Sequence, residues 1–285
     1  MNKLLAFMTL ATALLSNITN AGALSVQVYN PGEQAVFPVT STLISGEKEA
    51  ILIDAQFDVH NGQKLAGLIK ASGKVLTTIF ISGGDPDFYF GLEPVLAAYP
   101  QARVMASQHV VDHIVKTKDA KLAYWGPILA DAAPQTLTVP KVMTSNQLTL
   151  EGESIEIKAM NTPSAFIWIP SLKTALGGVA IHSGLHVWMA DSQTPAARAQ
   201  WLSTLNGLLA LQPERVVPGH FHGAEPEGAS AVQFTRDYIL RFEAELATAH
   251  TSADLIKAMT QAYPQLPADD GLTISAKVAT GEMSW

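Results

Sequence analysis

The sequence predicts a single mixed α/β domain arranged as a four-layer αββα sandwich. Two β-rich halves, each carrying helices, follow one another without a linker or an internal repeat between them. The 285 residues are 48% apolar, which is enough for the sizeable core that such a sandwich needs. Periodicity alone leaves α/β and α+β open, and the arrangement of the two halves favours the sandwich.

The first half of the chain alternates strand and helix patterns. Its strands are predicted from short β-branched or apolar runs bounded by turn residues, and its helices from apolar residues at helical spacing. The expected strands are residues 24–29, 42–44, 50–53, 75–81 and 103–106, and the expected helices are residues 61–71, 92–98 and 108–116. Between them, the Gly/Pro-rich residues 82–87 are predicted to form a loop without regular structure.

The second half begins with strands and ends with helices. The expected strands are residues 148–150, 155–159, 165–169, 174–176 and 215–217, and the expected helices are residues 194–211, 229–250 and 253–262. The first of these helices has Pro195 at a tolerated early position and an apolar face that includes Trp201 and Leu205. We therefore expect one domain, residues 24–285, that ends in helices.

The N-terminal residues predict an export signal. Lys3 supplies a positive charge, residues 4–15 form a short apolar run, and Ala21-Gly22-Ala23 has the small-residue pattern of a cleavage site. The run is shorter than the roughly 18 residues needed to span a bilayer. We expect residues 1–23 to be a signal peptide and the mature protein to be periplasmic or secreted without a stable membrane anchor. An uncleaved anchor is the alternative.

The composition restricts partners and metal chemistry. The formal net charge of -7 lacks the basic footprint of a nucleic-acid-binding protein, so we expect a small-molecule substrate or ligand. The oligomeric state is left open. The chain has no cysteine, so it forms no disulfides and any zinc site must use His, Asp or Glu.

Three residues stand where chemistry is expected, just after predicted strands. Asp85 and Asp87 lie in the loop after the strand at 75–81, and His220 follows a Pro-Gly turn after the strand at 215–217. The two carboxylates could face a cleft and hold an ion or act as a base. Alternatively they cap the loop and the next helix as Asx-turn residues. His220 could be a metal ligand or a base, or a histidine hydrogen-bonded into its loop.

The order of motifs resembles that of a known family. The segments concerned are Ser41-Thr42-Leu43-Ile44, Ile51-Leu52-Ile53-Asp54, residues 79–92, Asn161-Thr162-Pro163, Leu176-Gly177-Gly178 and Val216-Val217-Pro218-Gly219-His220. Together they resemble the opening hairpin, the T-H-x-H-x-D-H-x-x-G signature, the H-T-P turn, the strand ending in G-D and the final P-G-H of the metallo-β-lactamase superfamily. The resemblance spans about residues 41 to 220 and implies the αββα sandwich.

The resemblance also implies where metal ligands would stand. The seven ligand positions of a two-metal member fall on Gly83, Asp85, Asp87, Phe88, Asn161, Gly178 and His220. Only Asp87 and His220 are identical to the family's ligands. A single ion held by Asp85, Asp87 and His220 would have three protein ligands. This oxygen-rich set suits Mn²⁺, Fe²⁺ or Mg²⁺ as well as Zn²⁺, and a protein without any metal is the alternative.

Further residues are expected around the same cleft. His186, Trp188 and Asp191 follow Gly178 and are predicted to contact the substrate. The aromatic run Phe88-Tyr89-Phe90 is interpreted as core packing, and the alternative is an apolar floor that replaces the metal.

Three functions remain compatible with these residues. The first is an exported metallo-hydrolase-like enzyme with a remodelled mononuclear site, in which Asp87 orients the attacking water toward a small ester, amide or lactone. The second is a non-catalytic protein that keeps the fold and binds a small ligand. The third is a metal-free acid–base enzyme that uses Asp87 and His220. Fold alone does not decide among them.

Overall fold

The computed structural model describes residues 23–33, 35–267 and 269–285. All of the predicted signal peptide except Ala23 therefore lies outside the described residues. The strands are β1 (Ser25–Tyr29), β2 (Ser41–Ser45), β3 (Glu49–Ile53), β4 (Val75–Ile81), β5 (Arg103–Ala106), β6 (Lys141–Val142), β7 (Gln147–Leu150), β8 (Glu153–Lys158), β9 (Phe166–Ile169), β10 (Thr174–Leu176), β11 (His182–Ser183), β12 (Arg215–Val217) and β13 (His220–Phe221). The α-helices are α1 (Val59–Ser72), α2 (Pro86–Tyr89), α3 (Leu92–Ala98), α4 (Gln108–Leu129), α5 (Pro195–Ala210), α6 (Ser230–Leu246), α7 (Ser252–Ala262) and α8 (Asp270–Ala279).

The strands form two large sheets and a short ladder. The first sheet has the order β1-β2-β3-β4-β5-β6, antiparallel from β1 to β3 and parallel from β3 to β6. The second sheet has the order β12-β10-β9-β8-β7 and is antiparallel except for the pair β10 and β12. β11 and β13 form a separate two-stranded parallel ladder.

Alternating side chains on the strands build three packed interfaces. In β3, Ile51 and Ile53 pack in the core between the two sheets, whereas Leu52 packs in the core beneath α1, α3 and α4. In β9, Ile167 faces the core between the sheets and Trp168 faces the core beneath α5 to α8. This period of two buries both faces of each sheet. The four-layer αββα sandwich expected from the sequence is confirmed.

Helix α4 is longer than the sequence predicts. The pattern indicates a helix at 108–116, but the structure continues it to Leu129. Beyond residue 116 the partly buried side chains of Leu122, Trp125 and Leu129 pack against the core beneath α1, α3 and α4. Their spacing of three and four residues places them on one helical face, so tertiary packing sustains the extra turns.

The loop after β4 contains a short helix that the sequence does not predict. Pro86 occupies the first turn of α2, where a missing backbone N–H costs nothing. Asp87, Phe88 and Tyr89 lie in α2, and all three are buried.

In the described part of the chain, no helix is both long enough and apolar enough to cross a membrane.

Candidate functional site

An aromatic ring fills the start of the loop that follows β4. Phe88 is 1% exposed, and its ring lies directly against the backbone of Gly83. A Cβ atom placed on Gly83 would lie 2.5 Å from both Cδ2 and Cε2 of that ring. Contacts this short do not occur between unstrained atoms, and the ring is enclosed by the core. No side chain therefore fits at Gly83 while Phe88 keeps its position.

Asp87 and His220 form a hydrogen-bonded pair that is largely removed from solvent. The His220 Nε2 and Asp87 Oδ2 atoms are 2.8 Å apart, and the side chains of His220 and Asp87 are 13% and 10% exposed. Among the described residues, none offers a hydrogen-bond partner to the buried Nδ1 atom of His220. The Nε2 atom of His220 therefore hydrogen-bonds to the Asp87 carboxylate, whereas its Nδ1 atom is available as a donor or acceptor.

A second imidazole lies parallel to His220. The ladder of β11 and β13 puts His182 opposite His220, and the two rings stack at 5.3 Å between centroids with an angle of 10°. Burial, followed by the proximity of His220, lowers the pKa of His182 well below its usual range. His182 is therefore neutral at physiological pH, and its Nδ1 atom also lacks a partner.

Asp85 turns away from this pair toward helix α4. Its Oδ1 atom lies 2.8 Å from the Lys121 ammonium and 3.5 Å from Nε2 of His113. Burial alone would raise the pKa of Asp85, but the His113 imidazole and the Lys121 ammonium outweigh burial and lower it to about 2. Asp85 is therefore ionised and already has a cation as its partner.

Asp54 and Ser82 close the other side of the loop. Asp54 accepts hydrogen bonds from the backbone N–H of Ser82 at 2.7 Å and from its hydroxyl at 2.6 Å. Burial raises the pKa of Asp54 to about 7, against the opposing effect of these two bonds. Gly178 has a φ of +46°, and a Cβ there would lie 2.8 Å from Ser82 Oγ. A side chain at position 178 would therefore clash with Ser82, and the positive φ of this residue favours glycine.

An apolar pocket of about 80 Å³ opens beside these loops. Its lining residues are Pro163, Ser164, Val179, Trp188, Asp191, Ser192, Ala197, Gln200 and Trp201. Two residues expected to contact a substrate, Trp188 and Asp191, are among them. His186 is not: it is buried in the core beneath α6, with its Nδ1 atom 2.9 Å from the hydroxyl of Tyr238. The structure therefore separates His186 from the other two.

Two indole rings hold Asp191 at the edge of the pocket. The indole N–H groups of Trp188 and Trp285 donate to its two oxygens at 2.7 and 2.6 Å. The Trp285 ring also lies 5.9 Å from the Lys121 ammonium. The pocket and the Asp85–Lys121 pair are therefore neighbours.

Comparison with known proteins assigns the family. Residues 35–220 match the family model of the metallo-beta-lactamase superfamily. The chain belongs to that superfamily. Among curated proteins, none matches the chain significantly.

Solved structures of metallo-beta-lactamases share the fold at low sequence identity. A metallo-beta-lactamase family protein from Thermus thermophilus has a TM-score of 0.62 and 16% identity, over 90% of this chain and 91% of that one. Metallo-beta-lactamases from Hirschia baltica and Pontibacter korlensis each have a TM-score of 0.52, with 13% and 16% identity. The matched regions cover 76% and 79% of this chain, and 92% and 97% of the Hirschia baltica and Pontibacter korlensis chains, respectively.

Members of the superfamily usually bind zinc, and the residues of this cleft do not fit a pair of metal ions. The ring of Phe88 excludes a ligand at position 83, and the backbone excludes one at position 178. Within residues 23–33, 35–267 and 269–285, no group of three or more His, Asp or Glu side chains is arranged to hold an ion. The expected set Asp85, Asp87 and His220 is not brought together, because Asp85 is drawn to Lys121 on α4.

The sequence analysis does not single out six residues of this site, which are Asp54, Ser82, His113, Lys121, His182 and Trp285. Lys121 lies beyond the predicted end of its helix, and it is 36 residues from Asp85. Its only local signal is its position about two helical turns after His113. No sequence pattern links Trp285 to Asp191.

Proposed function

We propose that this member of the metallo-beta-lactamase superfamily binds a small organic ligand in its cleft and works without a dinuclear metal centre. The observation that carries the proposal is the ring of Phe88 against Gly83, at 2.5 Å from a Cβ position. The resemblance places metal ligands at both positions, and here one packing contact occupies them, so Phe88 in this position requires a glycine at 83.

The neighbouring pocket supplies the ligand chemistry. Its walls are mostly apolar, with Trp188 and Trp201 as the large surfaces and Asp191 at the edge. An apolar cavity of about 150 Å³ holds benzene, so this smaller pocket suits an alkyl group of a few carbons. The rest of the ligand would extend beyond the pocket. A short-chain ester, amide or lactone has this shape.

Metal analysis of the purified, tag-free mature protein tests the metal part of the proposal. We expect well under one equivalent of zinc, manganese or iron per chain after gel filtration without chelator. Two tightly held ions per chain would overturn it, because the present arrangement of Gly83 and Phe88 cannot accommodate them.

A pocket-filling variant tests the ligand part. Ala197 lines the pocket, whereas its neighbour Ala196 on α5 is exposed and does not. Butyramide and γ-valerolactone serve as probes, with binding followed by isothermal titration calorimetry. We expect Ala197→Phe to abolish binding and Ala196→Phe to retain it. Equal loss or equal retention in both variants would exclude this pocket as the binding site.

The 2.8 Å contact between Asp87 and His220 favours a second function, metal-free acid–base catalysis. The carboxylate would orient the imidazole through Nε2, and the unpartnered Nδ1 atom would accept a proton from a water or a substrate hydroxyl. In this alternative Asp87 positions His220 rather than contacting the substrate itself.

Hydrolysis of p-nitrophenyl butyrate separates the two functions. Catalysis by the pair requires turnover that survives EDTA, falls at least a hundredfold in His220→Gln, and falls in Asp87→Asn with a changed pH profile. A binding protein gives the same background rate in all three proteins.

We further propose that the protein is exported to the periplasm or secreted. Lys3, the apolar residues 4–15 and Ala21-Gly22-Ala23 support this proposal. Intact mass of the exported protein should correspond to a chain that begins at Leu24. An extracytoplasmic form that retains Met1 would contradict it.

A further inference from the structure

We infer that Lys121 is a built-in counter-ion of Asp85 and keeps divalent cations away from this end of the cleft. Asp85 stands where the superfamily resemblance places a histidine ligand, and a carboxylate there could in principle attract an ion. The ammonium group of Lys121 already occupies that carboxylate, at 2.8 Å from Oδ1.

Two helices position the contact between Asp85 and Lys121. Asp85 immediately precedes α2, and Lys121 projects from the middle of α4. The two side chains are 31% and 29% exposed, so they are partly removed from water. A lysine side chain is ordinarily charged at neutral pH, and at 2.8 Å its ammonium forms a hydrogen-bonded ion pair with the Asp85 carboxylate.

A metal ion at Asp85 would compete with this ammonium at close range. An ion bonded to the same oxygen at roughly 2.1 Å would lie within about 5 Å of the Lys121 nitrogen, where like charges repel strongly. The ammonium is covalently attached and cannot diffuse away. It therefore excludes a mobile cation without any change in the carboxylate itself.

Without the ammonium, the same corner offers metal-binding groups. The His113 imidazole lies beside the carboxylate, with its Nε2 atom 3.5 Å from Asp85 Oδ1. Carboxylate and imidazole side by side suit Mn²⁺ and Zn²⁺. The inference therefore predicts a gain of metal binding when the charge of Lys121 is removed.

The test compares Mn²⁺ binding to purified protein by isothermal titration calorimetry, with melting temperature as a second readout. The variants are Lys121→Met, which removes the charge, Lys121→Arg, which keeps it, and Lys118→Met as the matched control. Lys118 lies on the same helix and pairs with Asp119 instead. We expect Lys121→Met to bind Mn²⁺ at least tenfold more tightly than wild type and both other variants. Adding Asp85→Asn to Lys121→Met should remove the gain.

A folded Lys121→Met protein that binds Mn²⁺ no better than Lys118→Met would overturn the inference. If the methionine variant does not fold, Lys121→Gln keeps a donor toward Asp85 without the charge, and the same two outcomes apply. Such a result would overturn the role of Lys121 but would leave the proposed ligand-binding function unaffected. Tight metal binding by the wild-type protein would contradict both the role of Lys121 and the proposed function without a dinuclear metal centre.

Discussion

Replacing Gly83 with alanine should destabilise this fold far more than a buried methyl group normally does. The new Cβ atom would lie 2.5 Å from two carbon atoms of the Phe88 ring. That ring is 1% exposed and belongs to the core beneath α1, α3 and α4, so it cannot rotate into solvent. Overpacking of this kind costs about 1–3 kcal/mol.

A double-mutant cycle with Phe88 isolates that contact. Phe88→Ala alone should cost about 3–5 kcal/mol, as other large-to-small changes in cores do. In the Phe88→Ala background the space beside Gly83 is vacant, so the added methyl group should cost almost nothing or fill part of the cavity. We expect a favourable coupling of about 1–3 kcal/mol between the two changes.

Urea unfolding at fixed pH, followed by far-UV circular dichroism, gives the four free energies of the cycle. Gly67→Ala is the matched control, because it lies on an exposed face of α1 with no atom near its Cβ position. This control should stabilise the protein by up to about 1 kcal/mol through helix propensity. Strict additivity of Gly83→Ala and Phe88→Ala would refute the assignment of the ring to the space beside Gly83.

Three further results are expected. Asp54 keeps its proton up to about pH 7 in the folded state but releases it near 3.8 when unfolded. Wild-type stability should therefore fall as pH rises between those values, by on the order of 4 kcal/mol, and Asp54→Asn should flatten this slope in a series of thermal melts. Asp87→Ala should lower the free energy of unfolding by about 1–3 kcal/mol, because it leaves His220 Nε2 unpaired, whereas Asp87→Asn should be close to neutral. Both are measured by denaturant titration, and a neutral alanine variant would argue against the observed pair. The mature protein should not hydrolyse penicillins or carbapenems, and spectrophotometric turnover that a chelator abolishes would contradict that expectation.

Ten of the thirteen described strands could be predicted from the sequence because their signals are local, whereas the two-residue strands β6, β11 and β13 have no such signal. β4 has the predicted limits, since an apolar run that includes Thr77 and Thr78 is bounded by polar residues and glycines on both sides. The full length of α4 and the presence of α2 and α8 were not predicted, because their stability depends on partners elsewhere in the chain. The second half of α4 is held by packing against the core, and α2 by the burial of its aromatic side chains.

The site was predictable only as a set of altered positions. The sequence shows that Gly83, Phe88 and Gly178 have no metal-binding side chain, and the structure adds that positions 83 and 178 have no room for one. The direction of Asp85 could not be predicted, because Lys121 is distant in sequence and lies on a helix that was predicted to end too early. Proximity to Gly178 in the sequence predicts His186 near the cleft, but its ring is buried against Tyr238.

The replacements at positions 83, 85 and 178 are each held by a contact of their own, and this argues against a latent two-metal site that one mutation could restore. A histidine at position 83 requires the removal of the Phe88 ring. In the proposal made above, an ion at Asp85 requires the removal of the Lys121 charge, which lies 2.8 Å from that carboxylate. A carboxylate at position 178 requires both a different backbone conformation and a shift of Ser82. Because positions 83, 85 and 178 are each held by a separate packing or electrostatic contact, we propose that this is a stably rebuilt site rather than a metal centre with a few ligands missing.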